Sequence, residues 1–260
     1  MGNKAMNISR SECVNADPWM LNEACTIGKE KTPLPCFVAK AGLLYMFDIF
    51  MKRKFNFKVV DHFGNSPLHY AAEKSSCEMV EKLLELGLDP LLCNYKKQTP
   101  LLFAVMCGQH EHVKYLSSAM FIADDVSNGP IHYAVLSKDT KMLKLLVDNT
   151  PEMNNMITEW IVGYYYESRE YHLNYFNEPP LCMAVSSMDF KTAECLVELG
   201  AKVNEQVKET LASDRKTPKE DMLKMWSILS KDIDVYRNMD STADRYTGLL
   251  SGESKYLTLF

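Results

Sequence analysis

Residues 65–72 read NSPLHYAA, and residues 128–135 read NGPIHYAV. A chain that carries nearly the same eight residues twice either duplicates a reactive site or repeats a building unit. The wider spacing favours the unit. Pro67 in SPLHYAA is followed 33 residues later by Pro100 in TPLLFAV, then after 30 by Pro130 in GPIHYAV and after 50 by Pro180 in PPLCMAV. Upstream, Pro33 in TPLPCFV lies 34 before Pro67; downstream, Pro218 in KTPKEDM lies 38 after Pro180. Self-similarity near 33 residues marks a solenoid, in which each unit buries its apolar face against the next.

The remainder of each unit agrees. After LHYAA comes EKSSCEMVEKLLELGLDP, whose Met79, Val80, Leu83, Leu84 and Leu86 recur at helical spacing. The later units continue as MCGQHEHVKYL, LSKDTKMLKLLVDN and SSMDFKTAECLVELGAKVN. The spacing predicts a short helix, a tight turn, a second helix and a loop. Ser66 and Thr99 are suited to cap the first helix, because a hydroxyl can accept from its unpaired first-turn amides. Pro67 and Pro100 suit the first helical position, where no amide hydrogen is required. Leu68, Leu101, Ile131 and Leu181 then face the stack, and Ala71, Ala72, Ala104, Ala134 and Ala184 allow close approach of neighbouring helices. Gly87 and Gly200 follow second helices, where a left-handed cap is needed.

These motifs resemble the ankyrin repeat family, whose signature runs T-P-L-H-x-A-A, a V-x-L-L helix and a G-A-D loop. GNSPLHYAAEKSSCEMVEKLLELGLDP is close to a complete match; KKQTPLLFAVMCGQHEHVKYL has Leu102 where the family has His. The unit at 128–147 keeps His132, the unit at 178–204 has lost it, and the flanking units near 32–60 and 214–236 are degenerate. The resemblance covers residues 30–236. It implies an all-α solenoid of five to six helix–turn–helix units with hairpin loops, degenerate caps included. Residues 1–29 are then an N-terminal segment or partial cap, and residues 237–260 a mobile tail. It also gives Ser66, Pro67, Leu68, His69, Thr99, Pro100 and His132 a scaffold role. Ser66 beside His69 could suggest a nucleophile and base, but no third orienting residue is evident.

Composition narrows the function classes. The 260 residues are 47% hydrophobic with a formal net charge of −5 and interspersed acids and bases, so no basic footprint for nucleic acid is present. The N-terminus MGNKAMNISR has no apolar signal core, and its Gly2 meets Met6 where a myristoylation motif wants Ser or Thr. The longest apolar run, CFVAKAGLLYMFDIFM, is broken by Lys40 and Asp48 and is too short to span a bilayer. The eight cysteines contain no C-x-x-C pair and read as free thiols of a reducing compartment. Cys107, His110 and His112 in CGQHEH crowd three potential ligands together, but a structural zinc site wants four, and no metal or other cofactor is expected. Walker A, dinucleotide, H-E-x-x-H and G-x-S-x-G signatures are all absent, which argues against a stand-alone enzyme.

Two regions depart from the repeat. TPKEDMLKMWSILSKDIDVYRNM places Met222, Met225, Trp226, Leu229, Ile233 and Tyr236 on one helical stripe, suited to cap the stack, and PWMLNEACTIG at 18–28 suits the other end. The 50-residue step from Pro130 to Pro180 holds about 17 residues beyond a standard unit, near 150–177. This insertion is aromatic. Trp160, Tyr164, Tyr165, Tyr166, Tyr171 and Tyr175, with Arg169 as a polar anchor, are the expected partner-binding residues. The final Thr258, Leu259 and Phe260 fit a PDZ-ligand pattern of three residues, too few to separate from chance.

The resemblance implies a non-catalytic, monomeric, cytosolic (or nuclear) module that binds another protein through repeat loops, concave helix face and insertion. Within it three roles remain open: an inhibitor like the NF-kappa-B inhibitor ankyrin proteins, a regulatory segment of a larger channel or phospholipase, and a ubiquitin-ligase adaptor. The D-S-G-x-x-S degron of the first and a SOCS or F-box segment for the third are absent.

Overall fold

Short apolar helices, four of them beginning at proline, are joined by tight turns into a row of pairs. A computed structural model describes residues 26–27, 32–126, 128–150, 179–203, 205–213 and 217–236, with the side chains of 26, 27, 213 and 231–236 excepted. Helices α1 (Leu34–Lys40) and α2 (Leu44–Lys52) form the first pair, and α3 (Pro67–Lys74) and α4 (Cys77–Glu85) the second. In the third, α5 (Pro100–Met106) is followed by a broken helix: a 3-10 turn at His110–His112, α6 (Val113–Leu116) and a 3-10 turn at Ser117–Ala119. Helices α7 (Pro130–Leu136) and α8 (Thr140–Asp148), α9 (Pro180–Ser186) and α10 (Phe190–Glu198), and α11 (Glu205–Ser213) and α12 (Lys219–Tyr236) complete the row. A two-residue antiparallel pairing of Thr26–Ile27 with Thr32–Pro33 precedes α1.

First helices stack on first helices, α1 on α3, then α5, α7, α9 and α11, and the later second helices follow α8, α10, α12. The seam is closed by side chains of minimal size: Ala71, Ala72, Ala104, Ala134 and Ala184 are fully buried, beside Leu68, Leu101 and Leu181. A backbone cannot approach this closely over a longer side chain.

The turns inside the first, third, fourth and fifth pairs share one device, whereas α3 ends on an extended Ser75. At Gly108 (φ 69°), Lys138 (φ 56°) and Met188 (φ 49°) the backbone is left-handed. Each donates its N–H three residues back, and the next residue donates five back: Gln109 to Ala104, Asp139 to Ala134, Asp189 to Ala184. Gly87 and Gly200 close second helices in the same way.

That device exposes two errors of register in the sequence reading. Gly42 (φ 62°), with Leu43 donating to Val38, is the counterpart of Gly108 at two full units. Leu34, not Pro33, therefore stands where Pro67 stands, and Pro33 takes the capping position of Ser66. Pro218 does not open a first helix either. It precedes α12, which packs on the second helix α10, while α11 packs on the first helix α9. Among its described side chains α11 buries Val207 and Leu211, a stripe too thin to declare a helix from sequence. The α12 stripe buries Met225, Ile228 and Leu229 and half-buries Met222 and Trp226, so Ile228 joins the expected set. Ile233 and Tyr236 lie outside the described side chains.

The long connection does not interrupt the stack. Thirty-one residues separate Asp148 from Pro180, against fourteen between Glu85 and Pro100, yet α7 packs on α9 and α8 on α10. The flanking helices thus meet as directly as those joined by a standard connection. No described helix is long and apolar enough to cross a membrane.

Candidate protein-binding face

The third position of the first helices forms a buried column beneath the loops: Cys36, His69, Leu102, His132 and Cys182, all shielded from solvent. His69 ties three segments together. Its Nδ1 accepts from the Ser66 amide at 3.1 Å and lies 2.9 Å from the Ser66 hydroxyl, which leaves Nε2 to donate to the Gln98 carbonyl of the next loop at 3.0 Å. Ser66 and His69 thus form a capping box at this helix start, with the Ser66 hydroxyl also against the imidazole. Thr99 does cap as expected, accepting from Leu102 N–H at 3.3 Å. Burial pushes His69 down to about 4, against the opposing pull of the Gln98 carbonyl and the Asp61 carboxylate. His132 accepts from the Gly129 amide at 3.3 Å in the same manner. In the first unit Cys36 takes the histidine place, and its thiol donates to the Asn65 carbonyl at 3.8 Å. Burial raises that thiol well above its ordinary range.

The hairpin tips between units rest on residues that the sequence reading missed. Asp61 Oδ1 accepts from Phe63 N–H (2.9 Å) and Asn65 N–H (2.8 Å); Asn94 Oδ1 accepts from Lys96 and Gln98 N–H (both 2.9 Å); Asp124 Oδ1 accepts from Val126 (3.1 Å) and Asn128 N–H (2.9 Å). Such side-chain acceptance folds a loop on itself. The signal was present: DHFGN, NYKKQ and DDVSN recur with the spacing of the prolines. Neighbouring tips are also joined, Tyr95 N–H to the Phe63 carbonyl and Asp125 N–H to the Lys96 carbonyl, both at 3.0 Å. At Gly64 (φ 82°) any Cβ would strike Tyr95 at 2.9 Å, so glycine is required there.

Between the tips and the far turns, the first helices present an open face. Their fourth positions carry Phe37, Tyr70, Phe103, Tyr133 and Met183; their seventh carry Lys40, Glu73, Met106, Leu136 and Ser186. Tyr70 donates to Asp61 at 2.5 Å and Tyr133 donates to Asp124, so both rings are anchored to the tips. Burial, reinforced by the Asp124 bond, pushes Tyr133 up to about 12. Lys40 pairs with Glu73 at 3.1 Å and lies over the Tyr70 ring. Met106 is 48% and Leu136 56% exposed. Gln98, at the base of the second tip, reaches Met106 Sδ at 4.0 Å, which brings tip and face together.

CGQHEH is taken apart by the fold. His112 is buried and its Nδ1 donates to the Ala72 carbonyl at 3.1 Å, His110 pairs with Asp139 at 2.8 Å, and Cys107 is exposed. Among the described residues no group of three potential ligands is gathered for a metal. The described cysteines, Cys36, Cys77, Cys93, Cys107, Cys182 and Cys195, carry free thiols. Trp160, Tyr164, Tyr165, Tyr166, Arg169, Tyr171 and Tyr175 of the insertion lie outside the described residues, as do the 1–25 segment and the tail from 237.

Comparison with known proteins converges on one architecture. The family model described as ankyrin repeats (many copies) matches residues 68–116. A probable E3 ubiquitin-protein ligase of Oryza sativa subsp. japonica is 41% identical over 96 residues, 35% of this chain and 19% of that protein. The transient receptor potential cation channel subfamily A member 1 of Homo sapiens is 27% identical over 174 residues, 56% of this chain and 16% of the channel. An IkB-like protein of African swine fever virus is 29% identical over 105 residues, 36% of this chain and 43% of the viral protein. The chain thus spans less than half the length of each of these relatives. Helix pairs, left-handed turns, linked hairpin tips and the family match agree: the units of this chain are ankyrin repeats, stacked as an ankyrin-repeat solenoid.

Proposed function

We propose that this chain is a non-catalytic, cytosolic protein-interaction module that takes its partner along the open face of the first helices and the adjoining tips. The observation that carries it is the apolar middle of that face, where Met106 and Leu136 are exposed in line with the half-buried Phe103 and Tyr133. Aligned exposed apolar side chains on a rigid scaffold are characteristic of interaction surfaces. Charged substitution at exposed positions spares the fold, so the test is clean. Affinity capture with the chain and with a Met106→Glu, Leu136→Glu variant should recover a partner only with the former, at equal melting temperature. Equal recovery would move recognition elsewhere, first to the insertion near 150–177.

A second reading is favoured by one observation, the similarity to the human cation channel over 56% of this chain. In it the stack is a regulatory ankyrin segment of a larger protein. Immunoblotting the endogenous product separates the two: a species near 29.7 kDa supports the free module, and a much larger one the segment.

A further inference from the structure

We infer that the open face reads an extended, left-handed polyproline-II segment of a partner protein, with an apolar side chain at every third residue and acidic residues between. The inference deepens the proposed function and rests on it. Stacked helices stand about 8–10 Å apart. A polyproline-II chain rises about 3.1 Å per residue with three residues per turn, so it returns the same face every ~9.3 Å. One peptide residue in three therefore meets each successive first helix, in register with Tyr70, Phe103, Tyr133 and Met183. A β-strand has period two, and residues three apart lie on opposite faces. An α-helix needs seven residues for about the same advance and a wide apolar stripe to receive it. The units of α5, α7 and α9 each offer only a narrow contact of two side chains, one half-buried and one at the surface. Aromatic-lined grooves are the surfaces that grip polyproline-II segments, and tethering of Tyr70 and Tyr133 to Asp61 and Asp124 holds these rings in place beforehand.

Charge completes the match. The chain is acidic overall, yet around the apolar middle Lys96, Lys97 and Lys138 are exposed and make no ion pair among the described residues. Glu73 is occupied by Lys40, and the Asp61 and Asp124 carboxylates are engaged by the tyrosines and loop amides. Asp125 is the one exposed acid among the tip residues 61–65, 94–98 and 124–128 apart from the masked position 127. Lys96 and Lys97 stand on the tip side of the face and Lys138 on the turn side, so both flanks of a three-sided peptide meet cations, which favours acidic residues there.

The probe is a fluorescein-labelled peptide of Leu-Pro-Asp repeated four times, titrated by anisotropy against the full chain. A permuted peptide of the same composition and a heptad-patterned amphipathic helix serve as comparisons. The in-register peptide should bind at least roughly tenfold more tightly than either. Met106→Glu and Leu136→Glu, which leave the seam untouched, should each weaken it by a similar factor. Lys96→Glu with Lys97→Glu should weaken it and flatten its salt dependence. Equal binding of the permuted or helical peptide, or full binding by the Glu variants, overturns the inference. If no peptide binds while Met106→Glu abolishes capture of a cellular protein, the face stands as the binding surface and the extended ligand is wrong.

Discussion

His69 shows how a single residue turns a local motif into a tertiary clasp. Its ring closes its own helix start through Ser66 and donates to the next repeat through Gln98, which requires the neutral form. The folded value near 4 lies below the ordinary 6.5, so the unfolded chain binds more protons between the two. Stability is complete above about pH 6.5 and falls as the pH drops toward 4, by about 2 kcal/mol at pH 5. Urea unfolding of the chain at pH 7 and pH 5 should show that loss, and His69→Gln, less stable at pH 7, should show less of it. An unchanged pH dependence in the variant would sever the ring from the effect. Asp61 makes a parallel prediction. Asp61→Ala strands the Phe63 and buried Asn65 amides and the Tyr70 hydroxyl together, at a cost of about 2–3 kcal/mol, whereas Tyr70→Phe removes one bond and costs about 1 kcal/mol. Chemical denaturation of both variants measures the ratio.

At the scale of the element, four of the turns after first helices hold a left-handed residue, and the chain supplies Gly42 and Gly108 but also Lys138 and Met188. A non-glycine residue held there is strained by about 1–2 kcal/mol. Lys138 is exposed, so Lys138→Gly removes strain without emptying the core and should stabilise the chain by up to about 1 kcal/mol in thermal unfolding. Met188 packs against the core, and the same exchange there should gain less. The seam between elements behaves oppositely. Ala71 is fully buried among helices, and Ala71→Glu places an unpaired carboxylate where no water reaches, costing roughly 3 kcal/mol or more. A melting curve like that of the parent would contradict the packing of α1 on α3.

For the whole molecule, the direct packing of α7 on α9 and of α8 on α10 makes a clear prediction about the 31-residue connection. Shortening it to the 14 residues that join α4 to α5 should preserve one cooperative unfolding transition, because nearest-neighbour contacts carry a solenoid's stability. Splitting into two transitions would mean that the connection itself holds the halves together. If the shortened chain folds but loses its partner, the aromatic insertion is part of the recognition surface.

The amino-acid sequence by itself determined the repeat, because helix starts are written in local chemistry: a hydroxyl or glycine, a proline, then apolar residues at i and i+4. It also marked the long step between Pro130 and Pro180, since length is counted along the chain. Register at the ends was decided only by tertiary structure. Pro33 and Pro218 satisfy a helix start at more than one position, and only the turn at Gly42 and the docking of α12 on α10 show which. The residues of the proposed binding face were hidden for the same reason. Tyr70, Phe103, Tyr133 and Met183 stand some thirty or more residues apart in the chain, and only the stacking of one first helix on the next makes them a single surface.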